Sequence, residues 1–475
     1  MTSGGVSAQV LRGVSRNSAY LIAGQLLSRA VSLLYVLVLA RHLGVDEFGT
    51  FNLVMSLVLV AIGAIEFGLG RLLVRDLARD AGLIPSYLST LLPLRGMLSM
   101  VGYCVLLTAV WLVGYPGPVL QLTAIAALAL LPTSIGLIFD NLFHARQQMR
   151  DSAAGDLVVA IVQCGVGTAI VLGGGSVGQV LLAGVLAAVA YLMFLAWRAR
   201  ASGIQVRHGI NWRLGFGLLR QAAPFALVTV LSILAYRAEL LLLGSLSSAE
   251  DVGLYSAAAK FSEAALLVPL VLISAAAPVI SKAHAGTRDE LRSMYLWTLR
   301  RLLSVTLPLA LAGVLLSEGI LSVLLPPEYR QATTVLQWLF CAFPLAAFQM
   351  LNMAVLMMSN RSRLMMLSAA SMTLAQFAIA GLLISRHGLA GAAWAALLSQ
   401  AFNVVLTQWC VQRFFVDTRG LLTQLSAPLA AILAGATVAA ASATALGPWS
   451  ALPALAVYGL TFGLATVLRP APRVS

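Results

Sequence analysis

The sequence predicts an all-α polytopic membrane protein with about fourteen transmembrane helices, arranged as two pseudo-symmetric six-helix lobes plus two C-terminal helices. Three observations lead to this fold class. Hydrophobic residues make up 60% of the 475 residues and charged residues only 10%, whereas a soluble domain carries about 25% charged residues. Apolar runs long enough to cross a membrane recur along the whole chain. Short patterns of the first half also return, in the same order, in the second half.

The predicted spans are the apolar runs that reach about 20 residues, the length that crosses the hydrocarbon core as a helix. Several breaks between them carry turn residues, as in "YPGP" (115–118), "GGGS" (173–176), "PPEY" (326–329) and "GPWS" (447–450). Spans 3, 9 and 10 have the least distinct ends. In chain order the predicted spans are 17–40, 48–70, 87–113, 119–143, 153–173, 177–197, 221–244, 253–281, 294–320, 331–358, 364–385, 388–412, 421–446 and 449–468.

Five prolines lie within these spans, where proline removes a backbone hydrogen bond and predicts a kinked helix. They are residues 132, 224, 269, 308 and 344. Bent helices of this kind help to shape a cavity inside a bundle.

Most of the positive charge lies on alternate connections between the spans. With the N-terminus placed inside, the inner connections and helix ends hold 23 of the 30 Lys and Arg residues, and the outer ones hold only Arg41, Arg330 and Arg386. Cytoplasmic loops retain Lys and Arg in this way. The bias supports the helix count and predicts cytoplasmic N- and C-termini. Twenty-eight arginines against two lysines indicate a G+C-rich bacterial genome, so the expected location is a bacterial inner (plasma) membrane. The bias also explains the net charge of +13 without a nucleic-acid partner.

The connections leave no room for a soluble catalytic domain, because none is much longer than about twenty residues. No phosphate-binding loop of the Walker A type is present. The four cysteines all lie in apolar runs, as small core residues do, and not in metal-binding spacings. We therefore expect a protein that is not an enzyme and needs no cofactor or metal.

One pattern occurs twice: two acids, a hydrophobic residue, Gly, any residue and an aromatic residue, at 46–51 and at 250–255. Later matches include Pro132 with Pro344 and Asp140 with Asn352. Two copies of a six-helix unit, related by an axis along the membrane normal, would produce this order. The predicted organisation is a lobe at 1–200, a second lobe at 201–415 and two extra helices at 416–475. The acidic pair of each copy precedes a span, where it favours the positive end of the helix.

Three segments resemble a known family: "LARHLGVDEFGTFNLVMSLVLVAIGAIEFGLGRLLVRDLAR" (39–79), "YRAELLLLGSLSSAEDVGLYSAAAKFSEAALLVPLVLISAAAPVISKA" (236–283) and "GLAGAAWAALLSQAFNVVL" (388–406). They are similar to the polysaccharide-type flippases of the multidrug/oligosaccharidyl-lipid/polysaccharide exporter superfamily. The resemblance implies two six-helix lobes around a central cavity that opens alternately to each side. It also implies transfer of polyprenyl-pyrophosphate-linked oligosaccharide from the cytoplasmic to the outer leaflet. Polysaccharide polymerase and export proteins are the partners that such a role implies.

We single out eight ionisable side chains within the predicted spans as candidates for function. A charge near the bilayer centre costs about 2.5–3.5 kcal/mol on insertion scales, so these side chains should face protein or water and not lipid. Their depth along the helices gives two groups, with Arg29 near the middle. The group near the predicted outer ends is Arg237, Glu239, Lys260 and Glu263, and the group near the inner ends is Glu66, Arg95 and Asp140. The cations are Arg29, Arg95, Arg237 and Lys260, and the acids are Glu66, Asp140, Glu239 and Glu263.

For a pyrophosphate-linked substrate, the cations are the predicted head-group contacts, because the planar guanidinium group can bind phosphate oxygens in pairs. Arg237 and Arg29 are the first candidates, followed by Lys260 and then by Arg95, which lies close enough to the inner face to snorkel. The membrane lipid itself is the other expected contact.

The four span acids are the candidates for coupling transport to a proton or sodium ion. The alternative for all eight charges is a set of interhelical salt bridges. Lys260 and Glu263 are spaced i,i+3 and should pair. Arg237 and Glu239 are spaced i,i+2, so each needs a partner on another helix or a ligand.

Three other functions fit the sequence less well. A peptidoglycan lipid-precursor flippase and a multidrug/cation antiporter belong to the same superfamily, but the antiporter normally has twelve helices and an acidic cavity. A multi-spanning glycosyltransferase could use Asp46 and Glu47, which lie in the first outer connection. However, the repeat of this pair at 250–251 favours a structural element.

Overall fold

The computed structural model describes residues 8–204, 209–285, 287–357 and 362–415, and a few separate positions between 430 and 461. Within these ranges side chains are described from Val31 onward, except at 278–279, 281–285 and 362–363. In chain order the helices of this described part are α1 (Ala8–Glu66), α2 (Leu69–Arg79), α3 (Ile84–Val113), α4 (Gly117–Ala127), α5 (Leu130–Ala145), α6 (Met149–Leu172), α7 (Val177–Ala201), α8 (Trp212–Leu246), α9 (Ala249–Ala265), α10 (Leu267–Ala285), α11 (Arg288–Leu324), α12 (Thr333–Met357) and α13 (Ser362–Phe414). Short 3-10 turns at Ala81–Leu83 and Pro327–Ala332 precede α3 and α12.

The all-helical membrane fold is confirmed. Ten stretches of the described chain are long and apolar enough to cross a membrane. Two of these stretches hold two predicted spans each, because α1 and α13 continue through kinks at Gly44 and Gly388, where the backbone is not helical. A helix therefore corresponds to each of predicted spans 1–12. Spans 13 and 14 lie outside the described residues apart from isolated positions, so the count of fourteen stays a prediction.

The five span prolines have two different effects. Pro224, Pro308 and Pro344 lie inside the continuous helices α8, α11 and α12. Pro132 and Pro269 instead follow breaks, since α4 ends at Ala127 before α5 begins, and α9 ends at Ala265 before α10 begins. Proline cannot donate to the carbonyl four residues earlier, which is where each of these breaks lies.

The end of predicted span 2 differs from the structure. That span runs to residue 70 in the prediction, whereas α1 ends at Glu66 and α2 begins at Leu69. Phe67 (φ 51°) and Gly68 (φ 65°) between them both adopt the left-handed conformation, which costs most residues energy but is readily adopted by glycine. Two consecutive left-handed residues turn the chain sharply, so α2 is a separate amphipathic helix and not the end of a span.

Asp76 fixes α2 to α3. Its carboxylate accepts a hydrogen bond from Nε of Arg75 (2.7 Å) and another from the hydroxyl of Tyr87 on α3 (3.0 Å). Burial alone would raise the pKa of Asp76, but these two bonds and the charges of Arg75 and Arg79 outweigh it and leave the pKa below its usual value. The carboxylate is therefore ionised at neutral pH and holds the connection between the two helices.

The chain divides into two compact units, Met1–Leu234 and Ala235–Ser475. In the first unit, buried leucines of α2 and α3 pack with side chains of α5 and α7, such as Phe143 and Leu195. In the second, α10, α11, α12 and α13 form a core around Tyr295 and Leu351. The division falls inside α8, whereas the predicted lobes divide before it, at 200/201.

Large apolar side chains also cover much of the outer surface of the helices. Trp111 is 68% exposed, Leu374 71% and Val323 74%. So much apolar surface is unusual for a soluble monomer. It fits helices whose outer faces meet lipid, and the polar groups inside each unit are therefore the ones that require an explanation.

Candidate functional site

A cluster of three charged side chains lies in the second unit, between α8 and α9. Nη1 of Arg237 on α8 is 3.0 Å from Oε1 of Glu263 on α9, and Nζ of Lys260 is 3.3 Å from Oε2 of the same carboxylate. The predicted i,i+3 pair is thus confirmed. The guanidinium group also stacks on the ring of Tyr236 at 4.8 Å.

This cluster carries a net positive charge, because one carboxylate serves two cations. The three side chains are 16–25% exposed, so each is largely but not fully withdrawn from the surface. Nε of Arg237 has no hydrogen-bond partner among the described residues. Arg237 and Lys260 can therefore bind an anion without first losing all of their protein contacts.

Glu239 belongs to a different environment, although it is only two residues from Arg237. It is 5% exposed, and its Oε1 accepts a hydrogen bond from Nε2 of Gln376 on α13. Oε1 of Gln376 in turn accepts from Nδ2 of Asn403 (3.5 Å). Amides, and not a cation, are thus the side-chain partners that the structure gives to Glu239. Both residues have partners on other helices, as the i,i+2 spacing requires.

Neutral polar side chains extend this network through the second unit. Oγ1 of Thr407 donates to the backbone carbonyl of Asn403 (2.7 Å) and accepts from Nδ2 of Asn352 (3.1 Å). The hydroxyl of Tyr295 lies 2.7 Å from Oδ1 of Asn352 and 2.7 Å from Oε1 of Gln408. The network therefore connects a carboxylate near the predicted outer end of α8 with amides near the predicted inner ends of α12 and α13.

Arg95, in the first unit, is almost completely buried, at 2% exposure. Its Nη1 donates to the backbone carbonyl of Ile65 (2.8 Å), at the end of α1, and the carboxylate of Glu66 is close enough to attract it. The last carbonyls of a helix have no partner within the helix, so Arg95 supplies one at the broken end of α1. Arg95 does not snorkel to the surface as the sequence analysis expected, because this carbonyl binds it inside the unit.

Glu66 lies beside the start of α2. A methyl group at Gly70 would be 2.8 Å from Oε1 of Glu66 and 2.8 Å from Nδ2 of Asn141. The side-chain ends of Glu66 and of Asn141 on α5 therefore both lie close to the backbone at Gly70.

The first unit contains a partly open cavity of about 380 Å³, and one acid in its lining is not among the candidates predicted from the sequence. Asp156 on α6 lines this cavity with Gln163, Thr133 and Tyr191. Asp156 is the fourth residue of predicted span 5, and an acid at that depth is the signal that could have identified it. The remaining lining is mainly apolar.

Asp140 and His144 on α5 lie close enough to Asp156 to interact with it electrostatically. Oδ2 of Asp140 is 3.6 Å from Nε2 of His144, whose ring also contacts the hydroxyl of Ser152 (3.1 Å). Oδ1 of Asp140 is buried and has no partner among the described residues. These groups form a series of ionisable side chains from the cavity towards the predicted inner end of α5.

The structure thus groups the predicted site residues in separate places. Arg237, Lys260 and Glu263 lie together, Glu239 lies in the amide network, and Asp140 lies near the cavity. Arg95 and Glu66 are at the end of α1. The side chain of Arg29 lies outside the described part of the structure, so its role stays a prediction.

The sequence matches the model of one protein family, described as polysaccharide biosynthesis protein, over residues 14–284. This match covers more than half of the chain. No curated protein matches the sequence significantly.

Solved structures of transporters have the same fold. The lipid II flippase MurJ, in an inward closed conformation, matches with a TM-score of 0.77 at 13% identity, over 94% of this chain and 98% of its own. A multidrug resistance MATE family transporter of the MOP superfamily, inward-facing, matches with a TM-score of 0.64 at 15% identity, over 81% and 95% of the two chains. A MOP superfamily transporter from Pyrococcus furiosus matches with a TM-score of 0.58 at 16% identity, over 84% and 95%.

Proposed function

The chain belongs to the polysaccharide biosynthesis protein family, and on this premise we propose that it is a flippase for polyprenyl-pyrophosphate-linked oligosaccharide. It moves this lipid from the cytoplasmic to the outer leaflet of the bacterial inner membrane by alternating access, for the synthesis of cell-surface polysaccharide. The transporter fold supports this proposal. Polysaccharide polymerase and export proteins would take up the flipped product.

One observation carries the proposal: the pair of cations that share Glu263 inside the second unit. A pyrophosphate head group bears two or three negative charges and must cross the apolar core of the membrane. Fixed guanidinium and ammonium groups offset that cost. Among the described contacts, Glu263 is the acid that pairs with Arg237 and Lys260. One positive charge therefore remains for an anionic lipid.

Glu263 holds Arg237 and Lys260 in place when no substrate is bound. The phosphate oxygens then compete with this carboxylate for Nη1 of Arg237, whose buried Nε has no hydrogen-bond partner among the described residues. Arg29 on α1 is a further candidate for contact with the head group. Arg95 is less suited to substrate contact, because the carbonyl of Ile65 already binds it in a buried position.

The acids of the two units are the proposed coupling groups. Glu239 is buried among amides, and Asp140 lies near the cavity that Asp156 lines. A carboxylate in such a place gains from binding a proton or a sodium ion, because burial disfavours an unpaired charge. Glu66 and Glu263 are weaker candidates, and Glu263 already has two cationic partners.

The test is transport of fluorescent polyprenyl-pyrophosphate oligosaccharide in proteoliposomes. Arg237→Ala, alone and with Arg29→Ala, should reduce the initial flipping rate at least about tenfold, since loss of one partner of a buried charge pair commonly costs more than that factor. Arg237→Lys should retain part of the activity. Arg386→Ala removes an exposed arginine from the predicted outer surface and should leave the rate unchanged.

Two further arms use the same vesicles. An imposed pH or sodium gradient should change the rate of the wild type but not that of a variant that lacks the coupling acid, such as Asp140→Asn or Glu239→Gln. Supplying a lipid-linked peptidoglycan precursor tests the alternative suggested by the structural match to MurJ. Unimpaired flipping of oligosaccharide by the Arg29/Arg237 double variant would refute the head-group assignment.

A further inference from the structure

A small pocket of about 230 Å³ lies in the second unit, where the start of α11 meets the end of α13. Its charged lining consists of Arg288 and Arg292 from the first turns of α11, Arg413 from the last turn of α13, and Asp289. The pocket has room for about seven water molecules, at the ~30 Å³ that each occupies in the liquid. A phosphate or pyrophosphate group therefore fits inside it.

The positive charge of this pocket comes from its side chains and not from the helix end. The capping box of α11 already uses the helix terminus, because Oγ1 of Thr287 accepts from the amide of Glu290 (3.2 Å) and Oε2 of Glu290 accepts from the amide of Thr287 (3.2 Å). Three guanidinium groups face a single carboxylate, so the lining carries a net charge of about +2 at neutral pH. Arginine is also the side chain best suited to paired hydrogen bonds with phosphate oxygens.

Aromatic side chains border the same pocket. Phe414 and Phe415 line it, and the ring of Phe414 lies 6.3 Å from that of Trp409, which is 56% exposed. Trp297, on the same end of α11, is 39% exposed and lies under the guanidinium group of Arg301 at 5.6 Å. Exposed aromatic rings next to cations are typical of the level of the lipid head groups. The surroundings therefore favour a phosphate that belongs to a lipid over one dissolved in water.

We propose that this pocket binds the phosphate group of an anionic lipid at the cytoplasmic surface of the membrane. The charge bias of the connections places this end of α11 and α13 in the cytoplasm. The site is separate from the Arg237 cluster, which lies towards the predicted outer end of α8. Its ligand is either an anionic phospholipid of the inner leaflet or the polyprenyl pyrophosphate of the substrate before transfer. Both present the same chemistry, a phosphate oxyanion next to a hydrocarbon chain.

The test compares lipid retention by the full-length protein in phosphatidylcholine nanodiscs that contain a minor fraction of phosphatidylglycerol. Native mass spectrometry then counts the lipids that stay bound. The wild type should retain phosphatidylglycerol in preference to phosphatidylcholine. Arg288→Gln with Arg413→Gln should weaken that preference about fivefold for each arginine removed, the usual gain from one cation at an anionic surface. The same pair changed to lysine should keep most of it.

A matched control removes two exposed arginines from another connection of the predicted inner face, Arg146→Gln with Arg150→Gln. This variant should retain phosphatidylglycerol as the wild type does. Thermal melting checks that all variants are folded. Equal retention by the pocket variant and the control, or no preference of the wild type for the anionic lipid, would overturn the proposal.

A second arm adds polyprenyl pyrophosphate to the nanodiscs. Loss of the preferentially retained phosphatidylglycerol from the wild type and from the Arg146/Arg150 control identifies the pocket as a loading site for the substrate. Retention of phosphatidylglycerol identifies it as a phospholipid site. Either result supports a lipid phosphate in the pocket. Because the readout is binding, the proposal can succeed even where the protein fails to flip oligosaccharide.

Discussion

At the scale of single residues, two arginines within predicted spans show how surroundings decide the role of a charge. Arg95 is 2% exposed and is held by the carbonyl of Ile65. Arg237 keeps 16% of its side chain exposed and shares its acid with Lys260. The first arrangement completes a helix end, whereas the second leaves charge for a ligand. A count of charges within spans cannot separate these two cases, because both residues look alike in sequence.

Replacement of Arg95 by alanine should therefore affect stability more than transport. The change leaves the carbonyl of Ile65 without its donor and Glu66 without its nearby cation, which should lower the free energy of unfolding by about 1–3 kcal/mol. The measurement is the thermal midpoint of purified protein in detergent, together with the flipping rate per folded molecule. Arg386→Ala is the exposed control and should melt as the wild type does. A normal midpoint with loss of transport would instead assign Arg95 to the substrate.

The sequence alone reveals some of these site residues and not others, because it shows charge but not the contacts between helices. Span charges stand out in an apolar sequence, so Arg237, Lys260 and Glu239 were identified from composition and spacing alone. Gln376 and Asn352 carry no charge and differ little from ordinary polar residues of a long helix. Only the fold shows that amides from α12 and α13 meet in one network.

At the scale of helices, the apolar runs predict where the helices lie, but they predict less well where a helix is interrupted within a span. Every predicted span from 1 to 12 corresponds to a helix, because about 20 apolar residues leave few alternatives in a membrane. The breaks before Pro132 and Pro269 follow from proline chemistry. The break at 67–68 does not, since a phenylalanine and a glycine inside an apolar run give no clear stop signal. Only the fold shows how tightly this break is enclosed, since a side chain at Gly68 would meet Phe225 and Ala226 of α8.

Gly68→Ala should destabilise the turn between α1 and α2. A left-handed conformation costs a residue other than glycine about 1–2 kcal/mol. In addition, the new methyl group would lie 2.9 Å from Cβ of Phe225 and 3.2 Å from the backbone nitrogen of Ala226, so α8 would have to shift. The expected result is a lower thermal midpoint in detergent.

Gly96→Ala is the matched control for this change. Gly96 lies within α3 and has open space around it, so alanine should keep or slightly raise the midpoint, as it does in helices generally. Equal midpoints for the two variants would show that the turn at 67–68 does not depend on glycine.

At the scale of the whole molecule, the family match and the transporter fold make alternating access the proposed mode of action. The internal repeat predicts two lobes that move as bodies, with α8 beginning the second. The compact units of the structure divide inside that helix, at 234/235. The division into lobes stays a prediction that a direct test of motion can address.

Cross-linking on the predicted outer surface provides that test. In a background with Cys104, Cys164, Cys341 and Cys410 changed to alanine, cysteines replace Glu47 and Glu250. Both residues are exposed, and each belongs to the acidic pair of one copy of the repeated pattern. Cleavable thiol cross-linkers of increasing length should block flipping when short, because they prevent the outer side from opening, and the block should disappear on reduction. Long linkers should permit transport.

A control pair of cysteines lies within the first unit, at Glu47 and Gly117. Cross-linking this pair should not change the flipping rate. If transport continues when short linkers have fully formed between the cysteines at positions 47 and 250, the lobes do not move against each other on that side. Alternating access by movement of one lobe against the other would then be wrong.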